Sequence, residues 1–257
     1  LENGFITAAA ATTLPSTVNA VRIESGANVT SFTNNGSILA TASGGTANLT
    51  AILDLSGSLT SVVNTSSLQA NLVANDAGVR TGSAVAVDVR ANTSGFTFSQ
   101  TGILSPTDST LPDADNDGVD DADEPITVGS LLRGSGNDTV NIQNGTLDGD
   151  VSFGAGADAL NITGGGIVRG AITDGDGRLA VNVTNGTLVA LQPSQTTITS
   201  LNVGATSTLV VGLDAASGAT GGFKVNGTAT IADGATLGVR FTSLLQEPKR
   251  FTIIDAN

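Results

Sequence analysis

Internal repetition constrains the fold of this chain more than any other feature. Residues 3–10 match residues 35–42, and residues 29–34 match residues 59–64, so the first part of the chain has a period of about 30 residues. Each unit holds short runs of alternating apolar and polar residues, separated by Gly, Asn or Ser. Alternation turns one face of a strand inward and the other outward. The sequence therefore predicts a stack of strand-rich units.

The repeat becomes shorter in the second half of the chain. Residues 134–142 align with residues 154–162, and these in turn align with residues 175–181, so the period here is about 20 residues. Such units are too short for helical repeats of this composition, and they fit one coil of a parallel β-helix, in which coils stack at about 4.8 Å. We predict an all-β, right-handed parallel β-helix (solenoid) with about 20–32 residues per coil and an inserted calcium-binding loop.

Composition agrees with a thin, repetitive core and excludes several functions. The chain has 257 residues, is 39% hydrophobic but only 3% aromatic, and lacks Trp, Tyr, Met, His and Cys. Its net charge of −13, with scattered cations, disfavours nucleic acid, which binds to a clustered cationic face. No apolar run is long enough for a membrane-spanning helix, so we expect no membrane insertion of this fragment. The absence of His and Cys removes most nucleophile–base pairs, and we predict no enzymatic activity.

An acidic loop between Pro112 and Pro125 has the spacing of an oxygen cage for Ca²⁺. Position 6 of the loop is Gly118, where the chain must turn sharply. Side-chain oxygens at positions 1, 3, 5, 9 and 12 and the carbonyl at position 7 are the predicted calcium ligands: Asp113, Asp115, Asp117, Asp121, Glu124 and Val119. A hard cation that takes six to eight oxygen ligands requires this density of carboxylates.

The prolines on both sides of this loop argue against the two helices of an EF-hand. The loop resembles instead the helix-poor acidic repeats of thrombospondin type 3 and related bacterial surface linkers. The resemblance implies structural calcium, with an affinity of about 10⁻⁴ to 10⁻³ M. The alternative is a solvated acidic linker without an ordered ion.

Two Gly-x-Gly-x-Asp segments, ending at Asp138 and Asp158, resemble the nonapeptide of RTX calcium β-rolls. RTX nonapeptides follow one another in immediate tandem, whereas these segments recur only once in each short repeat. Each could be half of a metal site that the next coil completes. In the alternative interpretation, Gly permits a turn with positive φ and Asp caps that turn.

The order of motifs resembles the β-helical passenger domain of an autotransporter (type V secretion) of Gram-negative, especially alphaproteobacterial, bacteria. Residues 29–38, 149–158, 225–235 and 251–256 carry this resemblance. It implies an extracellular or cell-surface location, either attached to the outer membrane or released. In that family the closing stretch precedes a linker and an outer-membrane β-barrel, so we expect the chain to be part of a longer polypeptide.

The sequence divides into four predicted parts. Residues 1–104 form β-helix with the longer coils, and residues 105–125 form the inserted calcium loop. Residues 126–190 form β-helix with the shorter coils, and residues 191–257 form a C-terminal capping, autochaperone-like end. Terminal units of a solenoid are expected to be atypical, because one side has no neighbour.

The expected function is that of a structural or adhesive surface rod, stabilised by calcium. Its expected partners are further copies of itself, in an oligomer or extracellular fibre, or host or matrix glycans or proteins. One alternative is a polysaccharide-processing lyase or hydrolase, whose candidate acids all lie beside glycines in turns: Asp148, Asp150, Asp174 and Asp176. The other alternative is a passive S-layer-like or matrix protein.

Overall fold

A computed structural model of the protein describes residues 2–11, 16–75, 77–101, 124–244 and 247–256. Within these ranges every regular element is a β-strand and none is a helix. The strands are β1 (Glu2–Ala11), β2 (Thr17–Ile23), β3 (Ser31–Ser43), β4 (Asn48–Asp54), β5 (Ser61–Asn64), β6 (Ser67–Leu72), β7 (Ser83–Val89), β8 (Thr97–Gln100), β9 (Ile126–Val128), β10 (Ser130–Arg133), β11 (Thr139–Ile142), β12 (Thr146–Asp148), β13 (Val151–Ser152), β14 (Ala159–Ile162), β15 (Ile167–Gly170), β16 (Ile172–Thr173), β17 (Ala180–Val183), β18 (Thr187–Ala190), β19 (Thr196–Ile198), β20 (Ser200–Val203), β21 (Thr208–Leu213), β22 (Phe223–Val225), β23 (Ala229–Ile231), β24 (Thr236–Phe241) and β25 (Ile254–Ala256).

The strands form three sheets, and every pairing between named strands of the described residues is parallel. The 16-stranded sheet has two stacks that meet at β3. Its first stack, here face 1, is β3-β5-β8-β11-β14-β17-β20-β23. Its second stack, face 2, runs from β3 through β6-β9-β12-β15-β18-β21 to β24, and β1 also pairs with β3. Face 3 is the six-stranded sheet β2-β4-β7-β10-β13-β16.

The chain visits these faces in a fixed rotation. A strand of face 3 is followed by one of face 1 and then one of face 2, as in β10, β11 and β12 and again in β13, β14 and β15. We call each such passage a repeat unit. The three-stranded sheet β19-β22-β25 continues the rotation after β16, since the hydroxyl of Thr196 donates to the carbonyl of Ile172 at 2.6 Å. This all-β, parallel arrangement is consistent with a parallel β-helix.

The strand register follows the repeats seen in the sequence. On face 1, Leu160 pairs with Val140 on one side and with Val181 on the other, which gives the short repeat spacing. In the first half, Phe32 pairs with Val62, which gives the long one. The next pairing, of Val62 with Phe98, spans more of the chain, so the third long unit is longer than the repeat predicts. Both predicted spacings are therefore present in the ladder.

The inward side chains form columns in which each residue packs on its counterpart one unit away. The column on face 2 is no more than 1% exposed along its length: Ile38, Leu68, Thr127, Leu147, Val168, Leu188 and Leu209. One buried hydrophobic cluster extends from Ile23 to Val225 and includes residues of all the sheets. The core is thus aliphatic and narrow, as the scarcity of aromatic residues indicates.

The longer units of the first half carry a second, smaller core. The 13-residue strand β3 and the 7-residue strand β4 extend past the main cluster. Together with neighbouring strands they form a separate buried cluster in which Ala is the commonest residue: Val18, Ala40, Ala42, Ala47, Leu49, Ala70 and Leu72. The shorter units have shorter strands, β11 and β12 being four and three residues long. The change in repeat length therefore reflects a change in the width of the sheets.

Glycines allow the close stacking of the turns that precede face 1. Gly136 and Gly156 have φ angles of +115° and +149°, which favour residues without a Cβ. A Cβ at Gly154 would also collide with the carbonyl oxygen of Gly134 in the unit before it. The Gly-x-Gly segments are therefore required by the spacing of successive turns.

The last described strands leave inward positions uncovered. Phe223 is fully buried, and the rings of Phe241 and Phe251 pack edge to face with centroids 6.2 Å apart. However, Leu237 and Val239 on β24 are 45% and 48% exposed, although they pair with Leu209 and Val211 on β21, which are both buried. The phenylalanines of this region thus do not cover the end of the described stack. Within the described part of the chain, no helix is long and apolar enough to cross a membrane.

Candidate metal site and the aspartate turns

The acidic loop is inserted where the chain passes from face 1 to face 2, between β8 and β9. The predicted calcium ligands from position 1 to position 9 of this loop lie outside the described residues: Asp113, Asp115, Asp117, Val119 and Asp121. Glu124, the predicted ligand at position 12, is described, and its Oε1 accepts a hydrogen bond from the backbone N–H of Gly145 at 3.2 Å. This contact fixes the carboxylate beside the turn between β11 and β12 of the next unit.

Gln100 ties together the two ends of the acidic loop. This fully buried residue is the last of β8, and its Nε2 donates to the carbonyls of Pro125 and Asn144 at 3.1 and 3.2 Å. Its Oε1 accepts from the hydroxyl of Thr127 on β9 at 2.6 Å. Because an unpaired buried amide is costly, these bonds hold the strands on both sides of the insertion in one geometry.

The same buried column contains two asparagines in the units before the loop. Asn34 Nδ2 donates to Asn64 Oδ1 at 2.9 Å, and Asn64 Nδ2 donates to the hydroxyl of Thr127 at 3.1 Å. Both asparagines have no exposed area. The three residues Asn34, Asn64 and Gln100 thus form an amide column that leads to the loop. The match of residues 29–34 with residues 59–64 aligns the two asparagines, but it gives no signal for Gln100, which takes the place of the next asparagine in the ladder.

Asp138 and Asp158 point into the stack and serve as turn caps. They are 1% and 3% exposed. Asp138 Oδ1 accepts from the backbone N–H of Phe96 at 2.7 Å, and Asp158 Oδ1 accepts from the N–H of Asp138 at 2.7 Å. Each aspartate therefore bonds to the unit before its own. These two hydrogen bonds directly support the capping interpretation. Among the described residues no three acidic side chains come close enough to hold a metal ion.

Burial also changes the proton affinity of these groups. It raises the pKa of Asp138 to about 6, against the opposing effects of the Phe96 N–H and the nearby Arg133. The pKa of Asp158 is raised for the same reason, and the charges of Asp174 and Asp176 raise it further. Burial lowers the pKa of Arg133 to about 10, while Asp138 and Asp158 act in the opposite direction. Along β10, Leu131 points inward, so alternation predicts that Arg133, two residues later, also points inward. This pattern is the sequence feature from which a buried arginine could have been predicted.

The four candidate catalytic acids line two different grooves. Asp148 and Asp150 lie with Arg80 at the turn from face 2 to face 3. Asp150 Oδ1 accepts from the backbone N–H of Ala171 at 2.7 Å. This aspartate is therefore engaged in holding the turn of the next unit.

Asp174 and Asp176 lie at the turn from face 3 to face 1, in a groove that also includes Gln195. Asp174 Oδ2 accepts from the backbone N–H of Leu179 at 3.1 Å, and Asp176 Oδ2 accepts from that of Gly156 at 3.0 Å. Both aspartates therefore accept hydrogen bonds from backbone N–H groups of turns, which is the usual role of Asp beside Gly in a turn.

No protein-family model, curated protein or solved structure matches this chain.

Asp138→Asn is expected to flatten the pH dependence of stability. A carboxyl whose pKa is raised in the folded state stabilises the protein most below its unfolded pKa of about 3.9, and this stability is lost as pH rises through about 6. One proton of difference changes the unfolding free energy by up to about 1.4 kcal/mol per pH unit. Urea unfolding of both proteins from pH 4 to 8 measures this slope.

The control for this experiment is Asp150→Asn, which makes the same change of net charge at an exposed turn. Asparagine at position 138 retains an oxygen that can accept from Phe96, so the cap is preserved. Equal slopes for the wild type and Asp138→Asn between pH 4 and 6 would contradict the assignment.

Proposed function

We propose that this chain is the passenger of a Gram-negative autotransporter, a secreted surface rod with a structural or adhesive role. The single observation that supports it most is the parallel ladder, in which the strands of successive repeat units pair with one another, in constant register along the short units of face 1. A right-handed, closed parallel β-helix accommodates that ladder. Such a fold gives a stiff, extended body with long exposed faces, which suits contact with surfaces.

The turn aspartates favour this proposal over a polysaccharide-processing enzyme. The candidate acids lie in two separate grooves, and Asp150, Asp174 and Asp176 each accept hydrogen bonds from backbone N–H groups. Acid–base catalysis on a glycosidic bond requires a pair of carboxyl groups that flank one bond. A structural rod requires only that each turn be capped, and capped turns are present.

Localisation tests the proposed function directly. In cells that produce the full polypeptide, an antibody against the rod is expected to label intact cells or to detect the chain in the medium. A cytosolic marker serves as the control for lysis. A signal confined to the cytosol would contradict the proposal.

We further propose that the acidic loop binds Ca²⁺ and that the ion acts as a structural clasp. The loop ends at Glu124, which is tied to Gly145, and the buried amide of Gln100 joins the strands on its two sides. An ordered ion between these fixed ends would restrain the insertion and stiffen the join between long and short units. A switch would require a second arrangement of the anchoring strands, whereas a clasp requires only the present one.

Calorimetric titration with Ca²⁺ is expected to give a Kd of about 10⁻⁴ to 10⁻³ M for the wild type. The double variant Asp115→Asn, Asp117→Asn is expected to lose the binding heat and the calcium-dependent rise in Tm. The matched control is Asp148→Asn, Asp150→Asn, which removes two charges at a turn outside the loop. Equal heats and equal Tm values for the wild type and the loop variant would end the calcium proposal.

A second copy of the chain is the partner that we propose for the uncovered end. Leu237, Val239 and Phe241 are 45–48% exposed, yet they pair in register with buried residues of β21. At the opposite edge of face 2, β1 presents Ile6 and Ala8 at alternate inward positions that are only partly buried. Because both are edge strands of one sheet within the described residues, β24 of one copy can pair with β1 of another when this segment is produced on its own. Repetition of that heterologous contact gives a fibre.

Blocking each edge separately tests this assembly. Val239→Lys places a charge on the β24 edge, and Ala8→Lys places one on the β1 edge. The wild type is expected to form chains whose length grows with concentration in analytical ultracentrifugation, whereas each variant alone stays monomeric. An equal mixture of the variants is expected to form dimers only, because one intact edge of each kind remains.

A monomeric wild type at all concentrations, or variants that assemble as the wild type does, would overturn the fibre proposal. Leu244→Lys is the control, since this 86%-exposed residue lies outside the ladder. These outcomes do not affect the surface location or the calcium site, which the previous experiments test.

A further inference from the structure

Arg133 buries its charge inside the stack with part of its hydrogen-bonding capacity unused. It is the last residue of β10 and is 4% exposed. Its Cζ lies 4.4 Å from the centroid of the Phe153 ring, and its Nη1 donates to the carbonyl of Ser152 at 3.2 Å. Its Nε and Nη2 are sealed from solvent and have no hydrogen-bond partner. A buried guanidinium in this state requires an acceptor.

Two buried carboxylates near Arg133 each have an oxygen that lacks a hydrogen-bond donor. Asp138 and Asp158 each use Oδ1 to cap a backbone N–H, as described above. The Oδ2 atom of each is sealed from solvent and has no partner. Two donors and two acceptors are therefore left unpaired in one region of the interior.

These groups interact electrostatically but do not touch. The charges of both Asp138 and Asp158 act on Arg133. Among the described residues, however, only the pairs Arg22–Glu24 and Arg90–Asp88 bring a cationic nitrogen within 4.0 Å of a carboxylate oxygen. The guanidinium of Arg133 lies against Ser152 and Phe153, in the segment that leads to Asp158. Asp158 in turn accepts from the N–H of Asp138, so the three side chains share one corner of the stack without a direct hydrogen bond between their charged groups. A small bridging ligand suits this arrangement.

We infer that an enclosed water molecule bridges Arg133 to Asp138 and Asp158. Water can accept from the two guanidinium N–H groups and donate to the two Oδ2 atoms, which satisfies all four unpaired atoms. Buried waters typically make about three such bonds to groups that would otherwise be unsatisfied. A metal ion would be repelled by the guanidinium, and an anion would be repelled by the two carboxylates.

The bridge and the Asp138 cap together connect three successive repeat units. Asp138 caps Phe96 in the unit before Arg133, and Asp158 belongs to the turn of the unit after it. The water therefore joins the first two short units, and the Asp138 cap on Phe96 joins them to the last long unit. This inference does not depend on the proposed function.

A crystal structure of the wild-type chain at about 1.5 Å resolution tests the site without any substitution, since ordered water is visible there at hydrogen-bond distances. The expected result is a density peak about 2.7–3.2 Å from Arg133 Nε or Nη2 and from at least one of the two Oδ2 atoms. A direct contact of Arg133 with either carboxylate would overturn the inference. An empty gap, or a peak with the anomalous signal of a metal ion, would overturn it equally.

Water-to-amide magnetisation transfer in NMR provides a solution measurement. The amide hydrogens of Phe96 and Asp138 are expected to show transfer from a long-lived water, because they lie beside the bridge. Asp158→Asn keeps an oxygen for the Asp138 N–H but replaces an acceptor of the water by a donor. It is expected to speed the exchange of this water about tenfold, the effect of one lost hydrogen bond.

Asp54→Asn is the matched control for this measurement. Asp54 is an equally buried turn aspartate, but both of its oxygens accept bonds from the chain, from Ser56 and Leu59. It is expected to leave the exchange rate at the cluster unchanged. No transfer at Phe96 and Asp138 in the wild type, or equal exchange in the wild type and Asp158→Asn, would contradict the bridge.

Discussion

Backbone hydrogen bonding between successive units, in one fixed register, is the constraint on which the rest of this structure depends. Once Val140 pairs with Leu160 and Leu160 with Val181, every side chain at an equivalent position packs on its counterpart. Each position must therefore suit a neighbour of its own kind. Aliphatic residues stack on aliphatic residues, amides donate to amides, and a glycine is needed wherever one turn approaches the turn before it.

The acidic loop is compatible with this constraint because it leaves the ladder at a corner. Phe98 on β8 and Val140 on β11 pair directly, although the whole of the loop lies between them in the chain. Closing a long loop between two fixed ends adds little entropic cost beyond that of a short one. The ends are held by Gln100, whose side chain bonds to Pro125 beside the loop, Thr127 on β9 and Asn144 beyond the end of β11.

The sequence predicts most of the ladder but few of its buried polar contacts. Repeats and alternation are local patterns, so the short repeat spacing and the inward position of Leu160 follow directly from them. The partners of Gln100 come from segments on the far side of the insertion, and no repeat relates them. Arg133 obeys the alternation, but a charged residue at an inward position is usually expected to be exposed. The repeat pattern also gives no signal for the exposed side chains of β24, because alternation predicts which residues point inward but not whether a further strand covers them.

The interior column next to the acidic loop changes its chemistry from one half of the chain to the other. Asn34, Asn64 and Gln100 occupy it in the long units, and Ile142, Ile162, Val183 and Val203 occupy it in the short ones. A slip of the ladder by one short unit would exchange aliphatic residues of similar size. A slip that placed Asn64 instead of Gln100 beside Ile142 would separate Asn64 from its acceptor, the hydroxyl of Thr127, at a cost of about 1–3 kcal/mol for each unpaired group. The amides therefore specify the alignment of a stack whose second half could otherwise pair in several alternative registers.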